Sequence, residues 1–596
     1  MSTSRREILK AAGLLMAANV ASRVLGMVRD IATTQTFGSN WRTDAYFAAF
    51  GIPDLMYMLV VGGGLSAAFI PVFSGLLATR DEKEAWKTAT SFLMAAAAVL
   101  VGFTLLGITF ARELAPLVAY NFRGEQLELF VRLTRMMFPA VFFTSMAGLA
   151  MGVHFSYQRF WMPALGPIVY NIAIILSIYV LGPRMGVQGM AVGVFCGAVS
   201  SFALQVPFVL RQSAGMPWKW DLGDPGLRRI MLLMVPTALG LGLRQVNTVA
   251  EANLASGMGA GAITAVRYAT RLYMLPIDVF GSSLAMAVYP VLARQAALGR
   301  QDEFRQTLNN GLRNILFVTL PAAVGMAVLA EPIVRLLFQH GLFTAADTRW
   351  TATTLMFYTP AVVAQSAIVL FTRAFYAQQD TRTPVLVAAA TVLAGLGINI
   401  ALVLTAHLGT LGLATVSSIT SLANVLILAE LMRRRQHGIG GRHLAVMLAK
   451  GSVGAAVLSG VAGAVAALVA RRLGVAHVGA QLIQVLASVG GGVAAYVAMA
   501  WLLKMEELQA VLQLVMRRLG RGGRSVPPAD GSLAGSPAGL EGAEPGSSVA
   551  GTVVDAVVAA GADPGAEGVA GAAAEKESRK GGRSGRSDGD ADLPGR

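Results

Sequence analysis

Five charged residues, Arg23, Arg29, Asp30, Asp44 and Asp54, stand among apolar neighbours in the stretch from Asn19 to Phe73. A charge at the centre of a membrane helix costs roughly 2.5–3.5 kcal/mol even on lenient insertion scales, so such residues face a bundle interior or a watery cavity. Snorkelling to the headgroups is the competing account. It suits Arg23 poorly, because Arg23 lies about a dozen residues into its apolar run, near mid-membrane at a rise of roughly 1.5 Å per residue. Ser22, Gly26 and Arg29 share a helical face, with Arg23 and Asp30 on the adjacent strip. Further along, Arg244 and Glu251 are seven apart on one face, and Arg267 and Arg271 are four apart. Like charges at that spacing repel, so the second pair is tolerated best where an anion visits. Arg23, Arg29, Arg244, Arg267 and Arg271 outnumber Asp30, Glu251 and Asp278, and guanidinium forks match phosphate oxygens bidentately. The pattern predicts a cavity for an anionic, phosphate-bearing substrate, with Glu251, partnered by Arg244, as a candidate for ion coupling. Internal ion pairing of Arg29 with Asp30 and of Arg244 with Glu251 is the rival reading. Asp44 and Asp54 bracket the start of a span, where carboxylates also favour a helix N-terminus.

The elements that must hold these residues are membrane helices. The 596 residues are 55% hydrophobic and only 14% charged, with mean hydropathy +0.59. Globular chains carry about 25% charged residues, so this composition predicts an all-α polytopic membrane protein. Apolar runs of about 20 residues give about fourteen transmembrane helices. Arg5, Arg6 and Lys10 precede the first run as in a signal peptide, but the run continues past Ala21 without a clean cleavage site and reads as a retained helix. Basic residues in alternate loops, among them Arg80, Lys83, Lys87, Arg300, Arg305 and Arg433 to Arg435, outnumber those in the opposite loops about three to one. Both termini are therefore expected in the cytoplasm.

The chain also repeats itself. Leu65 to Pro71 resembles Leu284 to Pro290, Pro163 corresponds to Pro384, and Gly186-Val-Gln-Gly189 matches Gly409-Thr-Leu-Gly412, at a nearly constant offset. A six-span shift preserves orientation, so the repeats are parallel about an axis along the membrane normal. The expected organisation is an N-lobe of six helices (1–215), a C-lobe of six (216–436), two added helices (437–505) and a disordered cytoplasmic tail (506–596). The tail's Gly, Ala, Pro and Ser content cannot bury a core.

Several function classes drop out. One cysteine, Cys196, and scattered histidines offer no metal-ligand spacing, and no cofactor is expected. No phosphate loop, HExxH or nucleophile elbow occurs, so the chain reads as a transporter without nucleotide hydrolysis rather than an enzyme. The +15 net charge follows the loops and does not imply nucleic acid.

SRVLGMVRD at 22–30, RTDAYFAAFGIPD at 42–54, GGLSAAFIPVF at 63–73, RYATRLYMLPIDVFG at 267–281, LFQHGLFTAAD at 337–347 and FYAQQDTRTP at 375–384 resemble the MurJ (MviN) family. That family comprises the lipid II flippases of the multidrug/oligosaccharidyl-lipid/polysaccharide exporter superfamily. The resemblance covers roughly residues 8–505. It implies movement of undecaprenyl-pyrophosphate-linked disaccharide pentapeptide across the bacterial cytoplasmic membrane for peptidoglycan synthesis, with cell-wall enzymes as neighbours. It further implies Arg23, Arg29 and Arg271 as cavity cations, Asp30 as their partner and Asp44 as another important acid. One departure is visible: where some members carry basic residues after the span 2 proline, this chain has Leu55-Met-Tyr-Met-Leu-Val-Val61. Arg267 or Arg244 is the candidate replacement. Two alternatives remain open: a flippase for another polyprenyl-linked glycan, and a non-transporting scaffold for cell-wall enzymes.

Overall fold

The computed structural model describes residues 5–62, 68–79, 81–216, 220–405, 409–436, 438 and 440–508. Among them there are helices and connecting turns and no strand. The first part of the chain forms α1 (Arg5–Phe37), α2 (Trp41–Ala49), α3 (Gly51–Tyr57), α4 (Ile70–Thr79), α5 (Glu82–Thr109) and α6 (Ala115–Val118). It continues through α7 (Gly124–Ser156), α8 (Trp161–Val180), α9 (Gly182–Met185) and α10 (Val187–Gln212). The second part forms α11 (Pro225–Ala255), α12 (Ala262–Pro276), α13 (Ser283–Ala297), α14 (Gln301–Val328) and α15 (Ala330–Phe338). Then come α16 (Ala345–Ala377), α17 (Arg382–Thr405), α18 (Gly409–Arg435), α19 (Gly441–Leu473) and α20 (Val478–Leu502).

Twelve helical stretches among the described residues are long and apolar enough to cross a membrane, against the fourteen expected. Helices α1 and α11, at 33 and 31 residues, are also long enough to cross, but some of their side chains lie outside the described residues. The uncovered apolar side chains, such as Leu176, Leu386, Leu426 and Leu486, lie on these long helices, as expected where lipid is the solvent.

Two expected spans are interrupted. Residues 45–75, read as one helix, break into α2, α3, a π-helical segment Met58–Gly62 and α4; residues 263–291 break into α12, a π segment Ile277–Ser282 and α13. Extra residues in a turn loosen the hydrogen-bond ladder, and such bulges cluster at functional sites. The backbone recurs as the sequence does. The two π segments start 219 residues apart, at 58 and 277. Gln158 and Gln379 both take left-handed φ of 58° and 60°, as do Gly186 and Gly409 at 61° and 59°. Residues 63–67, which include the Leu65 end of the repeated motif, lie outside the described residues.

Packing is unequal along the bundle. At the end where α1 finishes, one continuous core runs through both parts of the chain, joining Ala32, Tyr46, Phe47 and Phe122 to Ala262, Tyr268, Phe338 and Phe343. At the opposite end there are two separate cores. One holds Phe69, Phe73, Trp86 and Phe92 with the start of α11, and the other holds Phe304, Phe371, Phe375 and Met505. Side-chain packing, rather than water exclusion, drives helix association in lipid, so the two parts adhere where they share a core and can separate where they do not.

Glu506 to Leu508, which the sequence reading assigns to the tail, belong to the folded bundle. Met505 and Leu508 are buried in the second of those cores, and Glu507 meets Arg313. A buried ion pair there outweighs the polar composition that follows. Residues 509–596 lie outside the described residues.

Candidate functional site

Helix α1 packs against α8 on one side, side chains from α12 reach it on the other, and its charged residues divide accordingly. Arg29 points Nε and Nη2 at Asp30 Oδ1, 3.1 and 2.8 Å away, and Nη1 at Asn171 Oδ1 of α8, 3.3 Å away. Asp30 turns its other oxygen to Arg271 Nε of α12, at 3.7 Å. One carboxylate thus lies between two guanidinium groups, and the trio is net cationic. Almost two turns earlier on α1, Arg23 Nη1 donates to Asp278 Oδ2 at 2.9 Å. Asp278 sits in the π segment that follows α12. Arg23, Gly26 and Asp30 therefore form the face of α1 that meets α12. Gly26 gives Arg271 room: a Cβ on it would come within 3.1 Å of Arg271 Nη2, and the guanidinium would have to shift.

Arg267 behaves differently from Arg271, although both lie on the same face of α12. Its guanidinium carbon is 4.7 Å from the centre of the Phe47 ring and 5.9 Å from that of Phe50. Aromatic faces accept a partly desolvated guanidinium without neutralising it. The like-charge repulsion between positions 267 and 271 is relieved by different partners. Exposure separates an inner from an outer layer. The side chains of Arg23, Arg271 and Asp278 are 52%, 46% and 40% exposed, whereas Arg29 and Asp30 are at 23% and 10%. Half-exposed arginines at this position within long apolar helices line a cleft, and their outward donors can take a phosphate oxygen.

Asp44 does not reach this cleft. It is 2% exposed and caps a helix across the bundle. Its Oδ2 accepts from the Gly261 amide at 2.6 Å, and its Oδ1 accepts from the Thr264 amide at 2.9 Å and the Thr264 hydroxyl at 2.7 Å. Helix α12 starts on Gly261, whose φ is +93° and which has no cap of its own; Asp44 supplies what its N-terminus lacks. The cap of α2 itself is Asn40, in a capping box with Thr43. Around this bond the two parts of the chain are laced together. Leu342 N donates to Gln35 O at 3.0 Å, Ser39 Oγ to Gly261 O at 3.3 Å and Asn253 Nδ2 to Pro116 O at 2.7 Å. The cleft is sealed at this end.

Two glycines let the seal close. Gly341 has φ +59° and Gly38 has φ +70°; a Cβ on the first would lie 2.1 Å from Gln35 O and on the second 2.7 Å from Leu342 O. Both obstacles are backbone atoms, which cannot step aside. Gly341→Ala is expected to weaken the seal by about 2 kcal/mol or more, the left-handed penalty alone being roughly 1–2 kcal/mol. Hydrogen exchange at the Leu342 amide checks this; unchanged protection would contradict it.

Glu251 accepts from Asn247 Nδ2 at 3.0 Å, one turn earlier on α11. The side chain of Arg244, its expected partner, lies outside the described residues. Among the described residues no group of three or more His, Cys, Asp or Glu could hold a metal ion. Asn171, Thr264, Phe47 and Phe50 are site residues that the sequence reading passed over. Neutral and aromatic partners carry no charge anomaly to mark them.

With this geometry in hand, the comparisons with known proteins are informative. Residues 33–485 match the family model described as lipid II flippase MurJ. A probable lipid II flippase MurJ from Bdellovibrio bacteriovorus is 30% identical over 523 residues, covering 86% of this chain and 98% of the relative. One from Vibrio cholerae is 28% identical over 442 residues, covering 72% and 83%. Among solved structures, a lipid II flippase MurJ in an inward closed conformation superposes with TM-score 0.68 at 23% identity, covering 85% of this chain and all of that one. An inward-facing MATE family multidrug transporter superposes with TM-score 0.61 at 15% identity, covering 72% and 98%.

Proposed function

The chain belongs to the MurJ lipid II flippase family, and from that premise we infer that it carries lipid II from the cytoplasmic to the outer leaflet of the bacterial inner membrane by alternating access. The observation that carries this reading is the net cationic cluster of Arg29 and Arg271 on Asp30 with Arg23 on Asp278, set in a cleft between long apolar helices. A pyrophosphate brings two or more negative charges, and the half-exposed Arg23 and Arg271 offer donors to it at little desolvation cost. Arg267 adds positive charge above the Phe47 and Phe50 rings. The isoprenoid remains in lipid while the headgroup enters the cleft.

The moving parts are an N-lobe of residues 1–215 and a C-lobe of residues 216–436, with 437–505 as an added helix pair. The left-handed residues and π segments that recur about 220 residues apart support that division. With both termini in the cytoplasm, the laced end around Asp44 is the outer gate and the end with two separate cores faces the cytoplasm. The charges that join the lobes in the cleft are Arg23 to Asp278 and Asp30 to Arg271. An arriving pyrophosphate competes for those arginines, which loosens the inner bridges and lets the lobes rock. Cell-wall enzymes that consume lipid II at the outer leaflet are the expected neighbours.

The chain is a transporter, and with no nucleotide-hydrolysis motif the drive is an ion gradient, the membrane potential or removal of product. Glu251 is the candidate coupling group, an acid within α11 whose hydrogen-bond donor among the described residues is neutral Asn247. Glu251→Gln is expected to lower transport several-fold and to abolish its dependence on an imposed ion gradient in proteoliposomes. Intact ion dependence removes Glu251 from that role. The function itself is tested by rescue of cells depleted of their own lipid II flippase, reading lipid II exposed at the outer leaflet. Good expression without restored exposure would favour another polyprenyl-linked glycan or a scaffold role.

A further inference from the structure

A second polar site lies far from the cleft, where the N-terminal ends of α14 and α19 meet the residues that follow α20. It is a cavity of about 300 Å³ lined by Gln306, Asn309, Asn310, Arg313, Gly440 and His443. Gly440 closes one wall in a left-handed conformation, φ +59°, and a Cβ there would lie 2.8 Å from Asn309 Nδ2. The chain beyond α20 turns back to its rim. Arg313 binds Glu507 through Nε at 2.6 Å and Glu506 through Nη2 at 2.9 Å. Glu507 is buried, at 4% exposure, and anchors the turn; Glu506 is 81% exposed. The side-chain hydrogen bond and charge of Arg313 hold the Glu506 carboxyl below its usual range, with His443 and Lys450 adding to the attraction.

Glu506 is thus an exposed carboxylate resting on a cation at the mouth of a cavity lined by carboxamides. Such a lining supplies donors and acceptors for a peptide backbone, and Arg313 and His443 supply attraction for acidic side chains. The sequence continues from this rim for residues 509–596. Four arginines, Arg517, Arg518, Arg521 and Arg524, come first; then residues 525–575 contain Asp530, Glu541, Glu544, Asp555, Asp563, Glu567 and Glu575 and no Lys or Arg. Basic residues stand next to the lining in the chain, Arg305 before Gln306 in α14 and Arg442 before His443 in α19.

We propose that this cavity is the docking site for the chain's own acidic segment, with Glu541 and Glu544 seated against Arg313 and His443 in the place of Glu506. Glu541 is 33 residues beyond Leu508 (541 − 508). That many residues can reach the cavity mouth, since a random-coil chain of that length has an r.m.s. span of about 30 Å, and tethering alone gives the segment a high local concentration there. Docking staples α14 to α19 and to the turn after α20, which fixes the last helix pair on the C-lobe from its tail side.

The test uses the full chain with Cys196→Ser, in nanodiscs of phosphatidylcholine. Cysteines placed as Asn310→Cys and Ala543→Cys are joined by a short bifunctional maleimide, with Asn310→Cys and Ser587→Cys as the comparison pair. Linkage within one chain is expected to be at least fivefold faster for 310–543. His443→Glu should remove that advantage, and Glu541→Lys with Glu544→Lys on the His443→Glu background should restore it. Equal rates for the two pairs, or no response to His443→Glu, overturn the proposal. So do links that run between two chains, which assign the cavity to a second copy, and loss of linkage when phosphatidylglycerol is included, which assigns it to a lipid headgroup.

Discussion

Arg271→Ala lowers delivery of lipid II to the outer leaflet by roughly one to two orders of magnitude while the protein reaches the membrane at its normal level. The size follows from what the side chain does. It offers charge-assisted hydrogen bonds to an incoming pyrophosphate, each worth roughly 1.5–3 kcal/mol, and tenfold in rate corresponds to about 1.4 kcal/mol. Because the side chain is 46% exposed and contacts Asp30 at 3.7 Å, its removal leaves Asp30 still paired with Arg29 at 2.8 Å, and folding is little affected. Arg29→Ala is expected to be as damaging but for a mixed reason. Arg29 is more buried and also holds Asn171, so its loss strands Asp30 and the α1–α8 contact together. Arg29→Lys should not rescue, since a single ammonium cannot reach Asp30 and Asn171 at once. Rescue of flippase-depleted cells with outer-leaflet lipid II quantified is the measurement. Wild-type exposure from Arg271→Ala, at equal protein level, would show that the cluster serves structure alone.

Asp44→Ala also abolishes transport, through the gate rather than the cleft. Three donors, the amides of Gly261 and Thr264 and the Thr264 hydroxyl, lose their acceptor in a buried site. Unmade hydrogen bonds of this kind cost about 1–3 kcal/mol each, so the sealed state weakens by about 3 kcal/mol or more. That shifts the balance between outer-closed and outer-open states by roughly two orders of magnitude. Ala262, 0% exposed beside the seal, reports the change when replaced by cysteine on a Cys196→Ser background. Labelling by an impermeant maleimide from outside should rise strongly in Asp44→Ala. Asp44→Asn should behave nearly as badly, because one of its two oxygens becomes an NH2 facing a backbone donor. Lost transport with unchanged labelling would place Asp44 in some step other than sealing.

These two predictions also separate what was legible in the residues. That Arg23, Arg29, Asp30 and Arg271 belong to a polar face inside a membrane bundle is readable from the chain, because a charge in an apolar run has few places to go. Which arginine meets which acid is not readable. Arg29 and Asp30 pair as neighbours, but Arg23 with Asp278 and Asp30 with Arg271 are contacts across 255 and 241 residues that only the tertiary fold creates, by bringing side chains of α12 and the π segment after it to α1. Asp44 is the clearest case. From the sequence it is a carboxylate in the first turn of its own span, yet it caps α12, whose N-terminus begins on a glycine with no side chain to do so. The breaks at Met58–Gly62 and Ile277–Ser282 escape periodicity as well, since one extra residue in a turn leaves the composition of an apolar run unchanged.

The sequence by itself determined that the chain is a bundle of membrane helices, that its motifs recur about 220 residues apart, and that cations outnumber acids among the charges within its apolar helices. All three follow from composition and period, which lipid reads directly: apolar length sets the spans, and the expense of charge sets which faces turn inward. Only the tertiary structure decided that the cleft is sealed beside Asp44 and Gly341, that the opposite end has two separate cores, and that Arg313 clasps the turn after α20. Those are matters of which surfaces adhere. Adhesion between helices in lipid depends on close packing and on paired polar groups distant in the chain, which no local pattern encodes.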